Sequence, residues 1–284
     1  MYQFRCDYIY SAEDADSEGE EGRYYVWERE EVISILGPAA ARFGEVYDIT
    51  AEGNFEGRSI PNLIGQSNSL EPRTLFAEER GQLLAARENR IKPFKDDKIL
   101  TAWNGLMIAA LGLGGRLLQN GRYLAAAHKA ADFVLTNLRR EDGRLLALYR
   151  DGEARFNGYA ADYTYLIWGL LELYEGGQEL RYLRTAGELN QQLVELFWDQ
   201  DRGGLFFYGS DSEPLLVRPK EVYDSVMPSG NAVAALNFLR LGRLASDPDL
   251  VEKGRTLIES FAGSISESPG AHSFWLQAFM YLEQ

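Results

Sequence analysis

The chain has 284 residues, 45% hydrophobic and 25% charged, enough for one large globular domain or two ordinary ones. Its 43 acidic residues against 29 basic ones give a formal charge of −14, which argues against nucleic acid or an anionic membrane as the main partner. The single cysteine, Cys6, excludes an intramolecular disulfide, and two histidines, His128 and His272, exclude a histidine-rich metal site, so no metal or cofactor is expected. No apolar run reaches the roughly 20 residues that span a bilayer, and the N-terminus lacks the basic start and apolar stretch of a signal peptide. The expectation is a soluble, cytoplasmic protein.

The first 27 residues predict an irregular hairpin. Tyr2, Phe4, Tyr8 and Tyr10 alternate as a strand would place them, the acidic run SAEDADSEGEEG interrupts, and residues 24–27 resume the aromatic pattern. Asp14, Asp16 and Glu18 open like a calcium loop, but the twelfth position from Asp14 is Tyr25 where a bidentate glutamate is required. A solvated acidic loop and a pocket rim are the two remaining readings. Residues 28–36 read as a short helix stopped by Gly37-Pro38. The Gly- and Pro-containing stretch 48–73 reads as a long ordered loop, a type of segment that often carries function.

From Thr74 the pattern is helical. TLFAEERGQLLAARENR is amphipathic, and KILTAWNGLMIAALGLGGRLL is apolar around most of its circumference, as a helix buried on several sides must be. The alternation then repeats: a one-sided helix around His128, a broadly apolar one from AADYTYLIWGLLELY, a one-sided one, a broadly apolar one from SGNAVAALNFLRLGRL, a one-sided one, and a final apolar AHSFWLQAFMYLEQ. The apolar helices begin near Asn104, Asp162 and Asn231, 58 and 69 residues apart. Short aromatic pieces, GRLLALYRDGEARF and GGLFFYG, sit between helix pairs as predicted β-hairpins. Inner buried helix, outer amphipathic helix and small hairpin describe an all-α (α/α) toroid; a two-layer helical solenoid has a shorter period, about 34–47 residues. The expected layout is one domain over 1–284, hairpin- and loop-rich over 1–73 and helical over 74–284.

The segments YSAEDADSEGEEGRYYVW at 10–27, GNFEG at 53–57, KDDKILTAWNGLMIAAL at 95–111, DYTYLIWGLLELYE at 162–175 and MPSGNAVAALNFLRLG at 227–242 together resemble the helical part of the spermatogenesis-associated, thioredoxin-fused proteins, whose bacterial members carry names such as YyaL. That family is similar in its helical part to six-hairpin glycosidases and N-acylglucosamine 2-epimerases. The resemblance implies a six-hairpin glycosidase-like toroid, here without the thioredoxin-like domain and the first helical hairpins. About nine helices are legible, short of the about twelve that six hairpins need. The ring is expected to be incomplete, with a homo-oligomer or another chain completing it, since uncovered inner-helix surface favours association.

In such toroids the pocket lies at one end of the ring, at the N-termini of inner helices. Asn104, Asp162 and Asn231 fall there, beside Trp103, Tyr159, Tyr163 and Tyr223. Aromatic faces stack on sugar rings while amides and carboxylates bind hydroxyls. The competing reading is that the polar residues cap helices and the aromatics are core. Asp162 and Asp224 are the predicted carboxylate pair of a glycoside hydrolase or sugar isomerase. Asp96 and Asp97 read either as further acids or as partners of Lys95, Lys98 or Arg90. His272, ahead of the last apolar helix, is a pocket candidate; His128, mid-way along an outer helix, reads as structural. Ser229 reads as a helix cap. The functional expectation is a saccharide or polyol pocket; the alternative is a non-catalytic platform acting with a thioredoxin-like domain or another chain.

Overall fold

The computed structural model describes residues 8–65, 74–213 and 216–284. Tyr2, Phe4 and Cys6 lie outside the described residues, as does the end of the loop predicted over 48–73. Backbone contacts divide the chain into two compact units, one of residues 12–96 and one of residues 97–284 with the segment up to Ser11. This boundary differs from the change of character expected at residue 73, because the helix that follows Thr74 is in the first unit.

In the first unit, strands β1 (Ala12–Glu13), β2 (Asp16–Ser17) and β3 (Glu20–Glu21) lie inside the acidic run. β2 and β3 pair antiparallel around Glu18 and Gly19, which have φ of 56° and 78°. Two consecutive left-handed residues make the tight hairpin turn that matches strand twist, and glycine takes the second at no steric cost. The hairpin expected between the two aromatic runs therefore closes within the acidic run instead. Its carboxylates meet arginines: Glu18 pairs with Arg23 at 3.0 Å and Glu20 with Arg58 at 2.7 Å. Among the described residues no group of His, Cys, Asp or Glu is placed to hold a metal ion.

Helices α1 (Arg29–Leu36), α2 (Ala40–Tyr47) and α3 (Ala77–Arg87) bury Trp27, Val32, Leu36, Phe43, Tyr47, Phe76 and Leu83 in one apolar cluster. Strand β4 (Lys95–Asp96) returns to pair with β1. Arg90, expected as a partner of Asp96 or Asp97, instead forks onto Glu31 with both contacts at 2.8 Å and lies 4.1 Å from the Trp27 ring centroid. The loop after α2 is ordered by Asn54, whose side chain accepts from the Ile60 N–H and donates to the Ile60 and Asp48 carbonyls.

The second unit holds the helical alternation. Strand β5 (Ile99–Leu100) runs directly into α4 (Thr101–Leu117), and α5 (Gly121–Asn137) returns beside it. Strands β6 (Leu146–Arg150) and β7 (Glu153–Asn157) form the expected hairpin and extend β5 into a three-stranded antiparallel sheet. Then follow α6 (Ala160–Gly177), α7 (Leu180–Phe197), α8 (Gly230–Ala245), α9 (Pro248–Ser260), α10 (Ala262–Glu267) and α11 (Ser273–Leu282). Helices α4, α6, α8 and α11 pack side by side as the inner layer, and α5, α7 and α9 pair with α4, α6 and α8 as outer helices. Inner α6 and α8 are buried over most of their length, whereas the outer helices bury one stripe. Helices α4 and α6 touch backbone to backbone at Gly105, where a Cβ would sit 2.6 Å from the Leu166 nitrogen. Only glycine permits that approach.

The second predicted hairpin, GGLFFYG, is a single bridge between Trp198 and Leu205. The reason lies outside the segment: the N–H and C=O of Leu205 are both taken by the side chain of Asn231, so no partner strand can pair with that edge. Among the described residues no helix is long and apolar enough to cross a membrane.

Candidate functional site

The starts of the four inner helices are tied to one another, and the ties use the residues the sequence singled out. Asp162 accepts the Ala102 N–H of α4 at 2.8 Å on one oxygen and the Tyr159 N–H at 2.7 Å on the other. A Cβ on Gly230 would lie 3.6 Å from the Ala161 Cα, which sets the start of α8 against the start of α6. The Tyr165 hydroxyl, on α6, donates to the Pro228 carbonyl just ahead of α8. Asp224 accepts the Ser229 N–H at 2.8 Å and the Phe274 N–H of α11 at 2.7 Å. All four helix N-termini therefore gather at one end of the layer.

Two asparagines repeat one device. Asn104 accepts from the Ile9 N–H and donates to the Ile9 and Leu100 carbonyls, at 2.9, 3.0 and 2.9 Å. Asn231 accepts from the Leu205 N–H and donates to the Leu205 and Glu221 carbonyls, at 2.6, 3.0 and 2.9 Å. Each side chain clamps both polar groups of one residue and thereby fixes the segment that lies across its helix start. Ser229 caps α8 through the Ala232 N–H, as its position predicts, and donates to the Glu221 carbonyl.

This geometry revises the roles expected from sequence. Asn104, Asp162, Asn231 and Asp224 lie at the predicted end, but they bind backbone. Both oxygens of each aspartate accept main-chain N–H groups, so in this arrangement each is a positioning group and not a free acid or base. Burial pushes the Asp162 carboxyl up to about 7, against the opposing pull of the Tyr159 and Ala102 N–H groups and of Arg144. Tyr163 does not reach the exposed end. It is fully buried, its hydroxyl accepting from Leu145 and Arg144 and donating to Gln192 of the outer helix α7. Asp97 pairs with Arg150 at 2.8 Å, a partner the sequence did not suggest.

Trp103, Tyr159 and Tyr223 do present their rings to solvent, at 40%, 39% and 62% exposure. His272 is fully buried with Nδ1 2.7 Å from the Ser268 carbonyl, which fixes the proton on Nδ1 and leaves Nε2 as an acceptor. Nε2 has no hydrogen-bond partner among the described residues, and the Tyr223 ring covers the imidazole at 4.8 Å between centroids. His128 bridges outer helices through the Tyr182 hydroxyl at 2.6 Å, in the structural role expected for it.

Glu221 was not singled out by sequence. Its backbone carbonyl is anchored by Ser229 and Asn231, while among the described residues no hydrogen bond or ion pair reaches its carboxylate. Burial alone raises that carboxyl above the ordinary glutamate range, although the side chain remains solvent-reachable. The signal was present in EVYD read at period two: Glu221 and Tyr223 are exposed, Val222 and Asp224 are turned inward. A separate cleft of about 650 Å³, lined by Trp198, Asp199, Arg202 and Lys253 among others, contains none of the predicted site residues.

No protein-family model matches the chain. Spermatogenesis-associated protein 20 of Homo sapiens is 32% identical over 93% of the chain, and an uncharacterised protein of Caenorhabditis elegans is 26% identical over 92%. The chain spans 39% and 41% of those relatives' lengths. In structure it is similar to a D-mannose isomerase (TM-score 0.51, 20% identity, 70% of this chain and 55% of that one) and to a GH76 alpha-mannanase of Bacteroides thetaiotaomicron (TM-score 0.51, 15% identity, 68% and 56%). At such identities the likeness concerns the fold alone, a six-hairpin glycosidase-like toroid. The chain is thus a homologue of the spermatogenesis-associated protein 20 proteins over nearly all of its length, built on a helical toroid of the six-hairpin glycosidase-like type.

Proposed function

We propose that the end of the inner layer where the helix N-termini gather binds a saccharide or polyol. The observation that carries this reading is the exposure of Trp103, Tyr159 and Tyr223 at helix starts whose own polar groups are already satisfied. A soluble protein keeps such rings in water at a cost unless they have a surface to stack on, and a sugar ring offers one. The two toroids named above are described as a mannose isomerase and a mannanase, which supports the same ligand class. Asp162 and Asp224 hold the frame in this reading, and glycoside hydrolysis or sugar isomerisation is the chemistry to assay for. Calorimetric titration with D-mannose and mannobiose tests it: Trp103→Ala is expected to weaken binding about tenfold through loss of one stacking face, and a wild-type protein that binds neither sugar would falsify the reading.

A second reading rests on a different observation. Each end helix of the inner layer has an exposed apolar stripe: Trp103, Met107 and Leu117 on α4, and Leu276, Phe279 and Met280 on α11. On α4 the stripe is opposite Gly105 and Gly112, which face α6. Uncovered inner-helix faces of this kind suit further helical hairpins, as a platform working with another chain or a thioredoxin-like domain would require. Sedimentation of the protein alone, and of a Met107→Glu, Phe279→Glu variant, tests it: an unaltered monomer in both cases removes self-association as the cover.

A further inference from the structure

We propose that Nε2 of His272 is a ligand-binding acceptor closed off by the Tyr223 ring: when that ring turns outward, Nε2 receives a hydroxyl of a neutral sugar or polyol. The inference deepens the saccharide reading above and rests on it for the class of ligand.

The imidazole is held so that one acceptor is left over. His272 is fully buried, and its Nδ1 lies 2.7 Å from the Ser268 carbonyl. A carbonyl only accepts, so the Nδ1 proton is committed there and Nε2 carries a lone pair. Among the described residues Nε2 has no hydrogen-bond partner, although it is out of contact with solvent. Buried polar groups are nearly always paired, and an unpaired one costs the fold stability. A group that pairs with this nitrogen must donate. An unprotonated imidazole nitrogen takes an O–H or N–H and offers nothing to a carboxylate, a phosphate or a carbonyl. Among the described residues no set of His, Cys, Asp or Glu surrounds it as metal ligands would.

The ring packed against the imidazole belongs to a free side chain on a fixed backbone. Its plane is tilted by 39° at 4.8 Å between centroids, yet Tyr223 as a whole is exposed. The chain is pinned on either side. The Val222 carbonyl accepts from the Trp275 indole at 2.7 Å, and the Asp224 N–H donates to the Ala271 carbonyl at 2.9 Å. Both Asp224 oxygens are held by main-chain N–H groups, those of Ser229 and Phe274. Tyr223 itself makes no hydrogen bond among the described residues. Its side chain can therefore turn about χ1 into solvent without moving the segment, and such rotamer changes are fast for exposed residues. The same turn uncovers Nε2 and frees a ring face to stack on the sugar whose hydroxyl enters.

Two measurements in mildly alkaline buffer test this, and both profit from a chain with only two histidines, so that His128 serves as the internal reference. The first is carbethoxylation by diethyl pyrocarbonate, read by peptide mass, which reports access to an unprotonated imidazole nitrogen. Tyr223→Ala is expected to speed modification of His272 about tenfold, the factor for an open state that is one-tenth populated in wild type. Equal rates at His272 in the two proteins, both fast or both absent, overturn the role of Tyr223 as the cover. The second is imidazole nitrogen NMR of wild type titrated with D-mannose and with mannobiose. Bound sugar is expected to move the Nε2 resonance of His272 and to leave those of His128 in place. His272→Asn, whose amide can still donate to the Ser268 carbonyl but has no atom at the Nε2 position, is expected to weaken sugar binding about tenfold. Sugar binding that leaves the Nε2 resonance unmoved overturns the acceptor role and leaves the saccharide reading standing. Failure of wild type to bind either sugar overturns the saccharide reading and the acceptor role with it.

Discussion

The two ends of the inner layer are held together by opposite chemistry. At the N-terminal end, Asn104, Asp162, Asn231 and Asp224 bind main-chain groups of neighbouring segments. At the C-terminal end, charged side chains bind one another. Glu172 of α6 receives Arg240 of α8 at 2.8 Å and Arg116 of α4 at 3.1 Å, and accepts from the Trp168 indole at 3.1 Å. Glu175 takes a second contact from each arginine, at 2.6 and 3.1 Å. The difference follows from the helices themselves. N-termini present unpaired N–H donors, which amides and carboxylates satisfy, while C-termini present unpaired carbonyls and a negative field that guanidinium groups complement. At the arginine end each of these four charges has its complement. At the other end the backbone ties leave the rings of Trp103, Tyr159 and Tyr223 exposed, and that is the end proposed to receive a ligand.

This contrast makes the two ends fail differently. The largest effect is expected at the arginine end: Arg240→Ala leaves Glu172 buried with part of its neutralisation gone and should lower unfolding free energy by about 3 kcal/mol. A loss below about 1 kcal/mol in urea titration would mean that Arg116 alone suffices. Asn231→Ala comes next. It strands the N–H and C=O of Leu205 and removes one donor from the Glu221 carbonyl, for an expected loss of about 2 kcal/mol. It should also loosen the Glu221–Tyr223 segment, read as faster amide exchange there than elsewhere in the protein.

Asp162 offers a pH test. Its carboxyl is raised from 3.8 to about 7 by burial, so the folded state holds a proton that the unfolded state releases between those values. The stability it contributes is full below about 4 and is lost as pH rises through about 7. Wild type should therefore lose melting temperature relative to Asp162→Asn across that window, and parallel profiles for the two proteins would show that Asp162 is ionised throughout. The smallest effect is Glu221→Gln, expected within about 0.5 kcal/mol of wild type. A larger loss would reveal a structural partner for the Glu221 carboxylate.

Much of the architecture was legible in periodicity. Helices that are apolar all round became inner helices and one-sided ones became outer helices, because burial on several sides selects that composition wherever it occurs. The β6–β7 hairpin was legible through its alternation and its central Asp151-Gly152 turn, both residues of which have positive φ. GGLFFYG carried the same local signals and became a single bridge, since Asn231, 26 residues further on, occupies its edge. No local rule contains that contact.

The site divides in the same way. Sequence by itself determined that Asn104, Asp162, Asn231 and Asp224 stand at the starts of inner helices, because the apolar period fixes where each helix begins and capping chemistry favours those residue types there. It also determined the net acidity of the chain. Only the tertiary structure decided which of those groups are still free. Whether a carboxylate is a clasp or stays open to solvent depends on which N–H groups of distant segments reach it, and Asp162 finds that of Ala102 while Glu221 finds none among the described residues. Hydrogen bonds act over about 3 Å and are settled by packing across the chain, so an assignment of this kind becomes readable once the helices are placed side by side.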